Sequence, residues 1–446
     1  MNCYIFRRGI QQIITKTKQF KNIHRTFAYR REGKLVTMKL DTPLFQNLFT
    51  PEMKQLVEIF NRHGHELRIA GGAVRDLIMD KLPVDIDFAT TATPDQMKEL
   101  FENEKIRLIN NKGEKHGTIT ARINDKENFE VTTLRIDVVT DGRHAEVQFT
   151  RDWQLDANRR DLTINAMFLG FDGTLYDYFH GREDLDQRKV KFVGNPEARI
   201  QEDYLRILRY FRFYGRIASN PNSHDAETLE AIRNNSQGLA GISGERIWME
   251  LRKIITGNYA DYIMETMMSL GLTPYMGLPD KCNIKEFQRI CQLTEGLSPL
   301  PMTRLSALLE DENQVYEVDQ RLKLSKEEIR LALFIIDKRS QDFEESVPLK
   351  YFSDLIVDAK EPKMKERILE LIKYKGDTAL LRTISEWSPP KFPITGHDLT
   401  QKNVPKGPIF AKTLNELRNI WKERGYQITK EELLLELDRI VTQLGL

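Results

Sequence analysis

The stretch from Arg68 to Thr90, RIAGGAVRDLIMDKLPVDIDFAT, constrains the fold of this chain more than any other segment. It predicts a short apolar strand over Leu67–Ala70, a tight turn at the paired glycines Gly71 and Gly72, and a helix from about Ala73. A proline then breaks the pattern and a second strand follows. A strand–turn–helix–strand unit of this kind indicates a sheet domain with a helix on one face.

Two aspartates on the second predicted strand are candidate metal ligands. Successive strand side chains point to opposite faces, so Asp85 and Asp87 are expected to share one face. Neighbouring carboxylates repel each other unless a cation joins them, and their hard oxygens suit Mg²⁺. The nearby glycine turn opens onto a helix N-terminus, which favours phosphate. The stretch therefore predicts a site for divalent metal and phosphate, with a solvated strand end as the alternative.

Three further residues extend this site. Glu130, in the strand-like segment FEVTTLRI, alternates with apolar residues and is the best candidate for a third acid, with a surface acid as the alternative. No GK[ST] follows the glycines, which disfavours a P-loop ATPase. Gly72 would allow close backbone approach, and Arg75 places a guanidinium one turn into the helix. Asp76 is equally well explained as a helix-stabilising partner.

A basic pair occurs in NRRDLTINAM, which begins at Asn158. Arg159 and Arg160 precede a predicted helix for which Asp161 is the expected N-cap. Two adjacent arginines beside a cap are compatible with simple solvation, so this cluster alone decides nothing.

The segment QEDYLRILRYFRFYGR, from Gln201 to Arg216, is more informative. Arg206, Arg209 and Arg212 recur every third residue and form a stripe along a helix that is otherwise apolar nearly all round. Buried guanidinium groups need anionic partners, and triphosphate oxygens would pair with them bidentately. An internal salt-bridge ladder with nearby acids is the alternative.

The same segment suggests how a base could be selected. Asp203 and Arg206 lie one turn apart, where a carboxylate could accept from an exocyclic amine and a guanidinium could donate to a ring nitrogen. Cytosine and adenine both present that amine-and-nitrogen pattern. Uracil and guanine present the reverse pattern and would be refused.

The remainder of the chain divides by pattern. Residues 38–170 mix strands and helices, with an amphipathic helix predicted from Pro43 to Gly64 and a mobile loop from Asp137 to Thr150, the latter a candidate lever in nucleotide switching. From Glu197 onward the pattern is helical, with a break at Ser388–Gly396. The predicted class is α+β, an N-terminal mixed sheet followed by helices.

Bulk properties narrow the class of protein. The net charge of +1 comes from 67 basic and 66 acidic residues, so binding of nucleic acid would depend on local patches. Three cysteines make neither a disulfide framework nor a zinc site and favour a reducing compartment. No apolar run is long enough for a membrane helix, and nothing in the pattern indicates an oligomeric state.

The N-terminal arm is separate in composition. Met1–Arg31 contains no Asp or Glu but several Lys and Arg among apolar residues, which is typical of a mitochondrial transit peptide. A basic arm that touches RNA is the alternative. Met38 follows and would serve as a second start, giving an untargeted cytoplasmic or nuclear form.

Taken together, these motifs resemble the class II tRNA nucleotidyltransferases, the CCA-adding enzymes, whose catalytic head is similar to that of polymerase β. GGAVRD with DID matches the family's catalytic motif, RRDLTINAM its ribose motif and EDYLR its base-templating motif. DYFHGREDL resembles the motif linked to head–neck movement, and ISGERIWMEL the helix-turn motif of the neck. The resemblance is dense from Leu67 to Thr256 and loose elsewhere, and Asp280–Glu386 contains no assignable motif. The arm suggests a eukaryotic mitochondrial member.

The resemblance implies roles for particular residues. Mg²⁺ would be held by Asp85 and Asp87, with Glu130 as the supporting acid. The nucleotide would be contacted by Gly72, Arg75, Arg160, Asp203, Arg206, Arg209 and Arg212. The tRNA 3′-hydroxyl, activated by one Mg²⁺, would attack the α-phosphate of CTP or ATP while a second Mg²⁺ holds the leaving pyrophosphate.

The resemblance also implies a domain order. It comprises a targeting segment at residues 1–37, a nucleotidyltransferase head at 38–170, a nucleotide-templating neck at 171–260, a helical body at 261–387 and a helical tRNA-binding tail at 388–446. The expected function is template-independent addition of C, C and A to tRNA. A poly(A) polymerase on the same scaffold and a non-catalytic RNA-binding protein are the alternatives.

Overall fold

The computed structural model describes residues 35–109, 111–140, 145–341, 348–359 and 361–443. The predicted targeting arm, Met1–Arg31, lies outside these residues. In the described part of the chain, no helix is both long enough and apolar enough to cross a membrane.

Two compact units divide the chain. The first runs to Lys281 and includes Glu317–Leu324, and the second comprises Cys282–Tyr316 and the residues from Ser325 onward. The finer boundaries predicted at residues 37, 170, 260 and 387 stay predictions. The strand that begins at Val36 spans the first of them.

Ten strands are found in the described residues, all in the first unit. In chain order they are Val36–Lys39 (β1), Leu67–Ala70 (β2), Asp87–Thr90 (β3), Arg107–Leu108 (β4), Thr118–Ile123 (β5), Glu127–Thr133 (β6), Arg135–Thr140 (β7), Ala145–Phe149 (β8), Phe168–Leu169 (β9) and Thr174–Asp177 (β10). Eight form one sheet in the order β1-β10-β9-β2-β3-β6-β5-β4, and β7 pairs with β8. The mixed sheet followed by helices confirms the predicted α+β class.

The centre of the large sheet positions the two predicted acidic strands side by side. β3 pairs antiparallel with β2 and parallel with β6, so that Asp87 lies directly opposite Glu130. Directly paired residues project from the same face of a sheet. On the other face Phe88 and Val131 are fully buried, which pins the register because a one-residue slip would reverse both faces.

Asp85 does not lie on a strand as predicted. β3 begins at Asp87, and Asp85 lies in a bend just before it. The physical reason is that β2, the antiparallel partner, ends at Ala70 opposite Asp87, because the chain turns away at Gly71. Asp85 therefore has no ladder partner on that strand.

The segment predicted as a mobile loop, Asp137–Thr150, instead belongs largely to the β7–β8 hairpin. The register shifts between Asp137 and Val139, so a bulge breaks the alternation that would have revealed the strand in the sequence. Residues 141–144 at its turn lie outside the described part.

The prediction of one continuous helix from Pro43 to Gly64 is wrong, because two helices occupy this segment. They span Pro43–Gln46 and Pro51–Arg62, and Thr50 starts the second by accepting a hydrogen bond from the Met53 N–H at 3.1 Å.

Helices make up most of the remainder of the first unit. They span Gly72–Ile78, Pro94–Asn103, Trp153–Asn158, Gly181–Asp186, Pro196–Glu202, Arg206–Ile217, Ala226–Asn235, Gly244–Ile255, Ala260–Ser269 and Thr273–Met276, with 3₁₀ turns at Asn111–His116, Thr163–Asn165 and Ser236–Gly241. Arg206–Ile217, named here the arginine helix, buries eight of its residues, as its apolar pattern predicted.

Helices are the regular secondary structure of the second unit in its described residues. Its elements span Ile284–Leu293, Pro301–Leu305, Ser306–Leu308, Glu312–Leu322 in part, Lys326–Lys338, Pro348–Asp358, Met364–Lys375, Thr378–Glu386, Gly396–Gln401, Pro408–Glu423, Lys430–Leu435 and Leu437–Gln443. One apolar core surrounds Phe352 and Leu371, and a second surrounds Leu417 and Trp421. The predicted break at Ser388–Gly396 separates the helices of these two cores.

Candidate active site

A cavity of about 790 Å³ lies in the first unit, lined by residues of the glycine turn, the start of β3 and the arginine helix. Among its lining residues are nine arginines and six aspartates, a difference of three positive charges. An excess of guanidinium groups in a recessed site favours a polyanionic ligand.

The glycine turn forms one wall. Gly71 has φ +66°, a conformation that favours glycine, and a Cβ there would come within 2.9 Å of Arg160 Nη1. Gly72 then begins the helix Gly72–Ile78, whose first turn is not capped by a side chain. The backbone of Gly71 and Gly72 and the guanidinium of Arg160 therefore lie together at the cavity wall.

Asp85 and Asp87 both line this cavity. Burial raises the pKa of Asp87 and the charge of Asp85 raises it further, although Arg160 opposes both effects. An ionised Asp87 is therefore short of positive charge, which a bound divalent cation would supply. The donor set fits a hard cation.

Glu130 stands apart from that pair. It is the register partner of Asp87, but its side chain is exposed and is not among those lining the cavity. Among the described residues, no three or more His, Cys, Asp or Glu side chains are gathered closely enough to hold a metal ion. Two carboxylates, rather than three, are in place.

Arg75 lines the cavity, but its guanidinium is buried and already paired within the protein. It donates to Asp76 Oδ1 from Nε and Nη2 at 3.1 and 2.9 Å, and from Nη1 to Asn165 Oδ1 at 2.5 Å. Asp76 also accepts from Arg216 at the end of the arginine helix. Asp76 therefore joins two parts of the site, in addition to partnering its neighbour on the helix.

The RRDLTINAM arginines share one carboxylate. Arg159 Nη2 and Arg160 Nη2 lie 2.9 and 3.1 Å from the two oxygens of Asp156. Burial tends to raise the pKa of Asp156, but the two guanidinium groups outweigh it and the pKa is lowered. Asp156 thus holds Arg160 against the glycine turn.

Asp161 was predicted as a helix N-cap, and this is wrong. The turn that follows is a short 3₁₀ segment preceded by Leu162, whereas Asp161 Oδ2 accepts from Arg209 Nε at 2.6 Å. Burial tends to raise the pKa of Asp161, but the charges of Arg209 and Arg206 outweigh this effect and the pKa is lowered.

The arginine stripe lines the cavity as predicted, and each member also has an acidic partner. Arg206 Nη1 donates to Glu202 at 2.5 Å and Arg212 Nη1 to Glu250 at 3.0 Å, in addition to the pair at Arg209. The ring of Phe213 lies beneath the guanidinium groups of Arg75, Arg209 and Arg212, at 4.9, 5.6 and 4.3 Å. The stripe is therefore held in position before any ligand binds.

Asp203 follows the helix Pro196–Glu202 and faces the same cavity. Its Oδ2 accepts from Arg246 Nη2 at 2.7 Å, and its Oδ1 accepts from the Leu205 N–H at 3.2 Å. Arg246 comes from ISGERIWMEL and was not singled out from the sequence. Its role becomes visible only through its ion pair with Asp203, 43 residues away in the sequence.

The structure brings together nine of the ten predicted site residues around one cavity, Glu130 being the exception. Sequence reasoning missed Arg135, Arg216 and Arg246, which also line it. Arg216 continues the spacing of the stripe by four residues, so helical periodicity would have found it.

Known protein families and individual proteins are similar to this chain. A family model described as the poly A polymerase head domain matches residues 67–191, and one described as a probable RNA- and SrmB-binding site of polymerase A matches residues 224–279. The mitochondrial CCA tRNA nucleotidyltransferase 1 of Mus musculus is 56% identical over 403 residues, covering 90% of this chain and 93% of the mouse protein.

Two solved structures show the same fold. The Bacillus stearothermophilus CCA-adding enzyme in complex with CTP has a TM-score of 0.66 at 24% identity and covers 90% of this chain and 99% of that one. The Thermotoga maritima CCA-adding enzyme complexed with tRNA has a TM-score of 0.62 at 19% identity, covering 92% and 100%. Given the identity and coverage shared with the mouse enzyme, this chain belongs to the CCA-adding tRNA nucleotidyltransferase family.

Proposed function

We propose that this chain adds C, C and A to the 3′ end of tRNA, consuming CTP and ATP and releasing pyrophosphate. The observation that carries the proposal is that Asp203 and Arg206 line the same cavity as Asp85 and Asp87. A base-reading pair and a metal-binding pair in one recess suit nucleotidyl transfer without a nucleic-acid template.

Base selection follows from the chemistry of the reading pair. The Asp203 carboxylate accepts from the N4 amine of cytosine or the N6 amine of adenine, and Arg206 donates to the adjacent ring nitrogen. Arg246 and the Leu205 N–H already orient the carboxylate. UTP and GTP present a donor where Arg206 also donates, so they are rejected through unpaired polar groups.

Triphosphate binding is assigned to the arginines that remain partly accessible. Arg209 is a third exposed in its side chain, and Arg212 and Arg160 about a fifth. Their acidic partners keep the guanidinium groups oriented, and a triphosphate would add charge-assisted hydrogen bonds at their free N–H positions. The same groups stabilise the negative charge that develops as pyrophosphate leaves.

Asp85 and Asp87 are assigned to hold Mg²⁺, the divalent metal whose preference for carboxylate and phosphate oxygens fits this donor set. When bound, the metal supplies Lewis-acid polarisation of the phosphoryl group and lowers the pKa of the attacking hydroxyl. Glu130 lies opposite Asp87 on the neighbouring strand but outside the cavity lining, and we assign it to support the pair from that position.

The acceptor is assigned as tRNA. The mouse relative is named a tRNA nucleotidyltransferase, and a Thermotoga maritima neighbour of the same fold is described in complex with tRNA. The neck, body and tail proposed at residues 171–260, 261–387 and 388–446 would hold the tRNA by shape and phosphate contacts.

The mouse relative is named mitochondrial, and the acid-free arm fits import into that compartment. A second form starting at Met38 would be cytoplasmic or nuclear. Such a form would lack Val36 and Thr37, which pair with Asp177 and Tyr176 at the edge of the sheet. It would keep the Lys39 side chain, whose Nζ lies 2.6 Å from Asp172.

Nucleotide incorporation tests the proposal. A tRNA transcript that ends at the discriminator base is incubated with CTP alone, with ATP alone, or with both. The proposal predicts two added residues with CTP alone and three with both. Extension by many residues with ATP alone, with indifference to CTP, would instead identify a poly(A) polymerase.

A further inference from the structure

One arginine outside every sequence motif contacts four backbone carbonyls. Arg321 lies at the end of the helix Glu312–Leu322, in the region where the sequence shows no assignable motif. Its Nη2 lies within hydrogen-bond distance of the carbonyl oxygens of Leu239 (3.1 Å), Ala240 (3.4 Å), Ile242 (2.8 Å) and Tyr275 (3.4 Å). Three of these carbonyls belong to the 239–242 turn and the fourth to the helix Thr273–Met276, so the guanidinium fixes the turn and ties it to that helix.

The backbone around Arg321 is packed closely enough to leave little freedom. A Cβ added at Gly244 would lie 1.7 Å from the Arg321 carbonyl oxygen. Gly277, at φ +81°, gives room to the Arg321 side chain, whose Cβ would lie 2.5 Å from a Cβ added there. Only glycine fits at both positions, so the start of the helix Gly244–Ile255 rests directly on the end of the helix that bears Arg321.

The turn that Arg321 holds leads straight into the cavity. Two residues after Gly244, Arg246 donates to Asp203 at 2.7 Å. One turn later, Glu250, which is buried, accepts from Arg212 at 3.0 Å. One helix therefore supplies the partners of both the base-reading carboxylate and a member of the arginine stripe.

We propose that Arg321 is a positioning residue for nucleotide selection. Arg321 holds the 239–242 turn and so fixes the position of the helix Gly244–Ile255. That helix holds Asp203 through Arg246 and Arg212 through Glu250. Because a hydrogen-bonded site rejects the wrong base only when its groups are fixed, a loosened helix accepts UTP and GTP more readily. This inference rests on the proposed function.

The test compares Arg321→Met and Arg321→Lys with the unchanged full-length chain. The readout is the ratio of kcat/KM for UTP to that for CTP on tRNA lacking its CCA end. This ratio does not depend on the fraction of folded enzyme. We expect Arg321→Met to raise it about 5- to 30-fold, equivalent to weakening one charge-assisted contact, and Arg321→Lys to give an intermediate rise. If Arg321→Met does not fold, the Arg321→Lys ratio decides.

Arg339 offers a matched control. It also clasps backbone carbonyls, those of Ser306 at 2.8 Å and Glu310 at 2.7 Å, but in the second unit. Arg339→Met should lower Tm and leave the UTP-to-CTP ratio unchanged. An unchanged ratio in both Arg321 variants would overturn the positioning role while CTP addition by the unchanged chain stands. Absence of CTP addition by the unchanged chain would overturn the proposed function instead.

Discussion

Arg216 donates from Nη2 to both carboxylate oxygens of Asp76, at 2.9 Å each, across 140 residues of sequence. Asp76 is buried, and it also receives two hydrogen bonds from Arg75. The helix after the glycine turn and the arginine helix are thereby joined through one carboxylate. The two walls of the cavity, which bear the metal-side and base-reading residues, share this junction.

Replacing that carboxylate should be costly. Asp76→Asn leaves the guanidinium of Arg75, 4% exposed, without its charge partner, so we expect a loss of about 3 kcal/mol of unfolding free energy. Arg216→Met removes a partner that is 46% exposed and should cost only about 0.5–1 kcal/mol. Denaturant unfolding of the two variants measures both values. Equal losses in the two variants would show that the buried Arg75 guanidinium does not depend on the Asp76 carboxylate.

Metal binding should be visible without catalysis. Mg²⁺ relieves the repulsion between Asp85 and Asp87, so millimolar Mg²⁺ should raise Tm by about 1–3 °C at pH 7.5. Asp87→Asn should abolish that response. Asp95→Asn, which alters a side chain 91% exposed on a neighbouring helix, should retain it. A response that survives in Asp87→Asn would place the metal elsewhere.

Glu130 tests how much a residue beside the cavity contributes. Glu130 lies opposite Asp87 and is assigned as a supporting acid. Glu130→Gln should therefore lower kcat for CTP addition about 10-fold and raise the Mg²⁺ concentration that the enzyme requires. Glu99→Gln, an exposed acid on the helix Pro94–Asn103, is the comparison and should be neutral. If the two variants behave alike, Glu130 is a surface acid.

The Asp161–Arg209 pair predicts a pH dependence. The pKa of Asp161 is lowered in the folded protein, so its stabilisation is fully present above the unfolded value of about 3.9 and is lost as pH falls through the folded pKa. Asp161→Asn should therefore cost about 2–3 kcal/mol at pH 7, and the difference from the unchanged chain should shrink below about pH 4. Urea unfolding at pH 7 and at pH 3.5 measures it, and a pH-independent difference would contradict the pairing.

Local patterns explain what the sequence could predict. The strand, glycine turn and helix around Gly71, and the stripe of the arginine helix, follow from spacing within twenty residues, which periodicity reports directly. Asp85 was assigned to a strand because the sequence does not give the register between β2 and β3, in which Ala70, the last residue of β2, pairs with Asp87. The bulge at Asp137 likewise hid a strand by breaking its alternation.

Pairings between distant segments were beyond reach. Asp161 was predicted as an N-cap because the residues that follow it were predicted to form a helix. Its actual partner, Arg209, lies 48 residues away. Arg246 and Arg321 bind partners that lie outside their own segments, 43 residues away for Arg246 and 46 to 82 residues away for Arg321. Their partners become apparent only when the helices pack, so no window of sequence contains the interaction.

Replacing Asp203 tests whether this residue selects the base. Incorporation of each of the four nucleotides onto tRNA lacking its CCA end is compared for the unchanged chain and for Asp203→Ala. We expect the unchanged chain to accept CTP and to refuse UTP and GTP, and we expect Asp203→Ala to lose this discrimination by about 10- to 100-fold in relative kcat/KM. Undiminished selection of CTP by Asp203→Ala would contradict it.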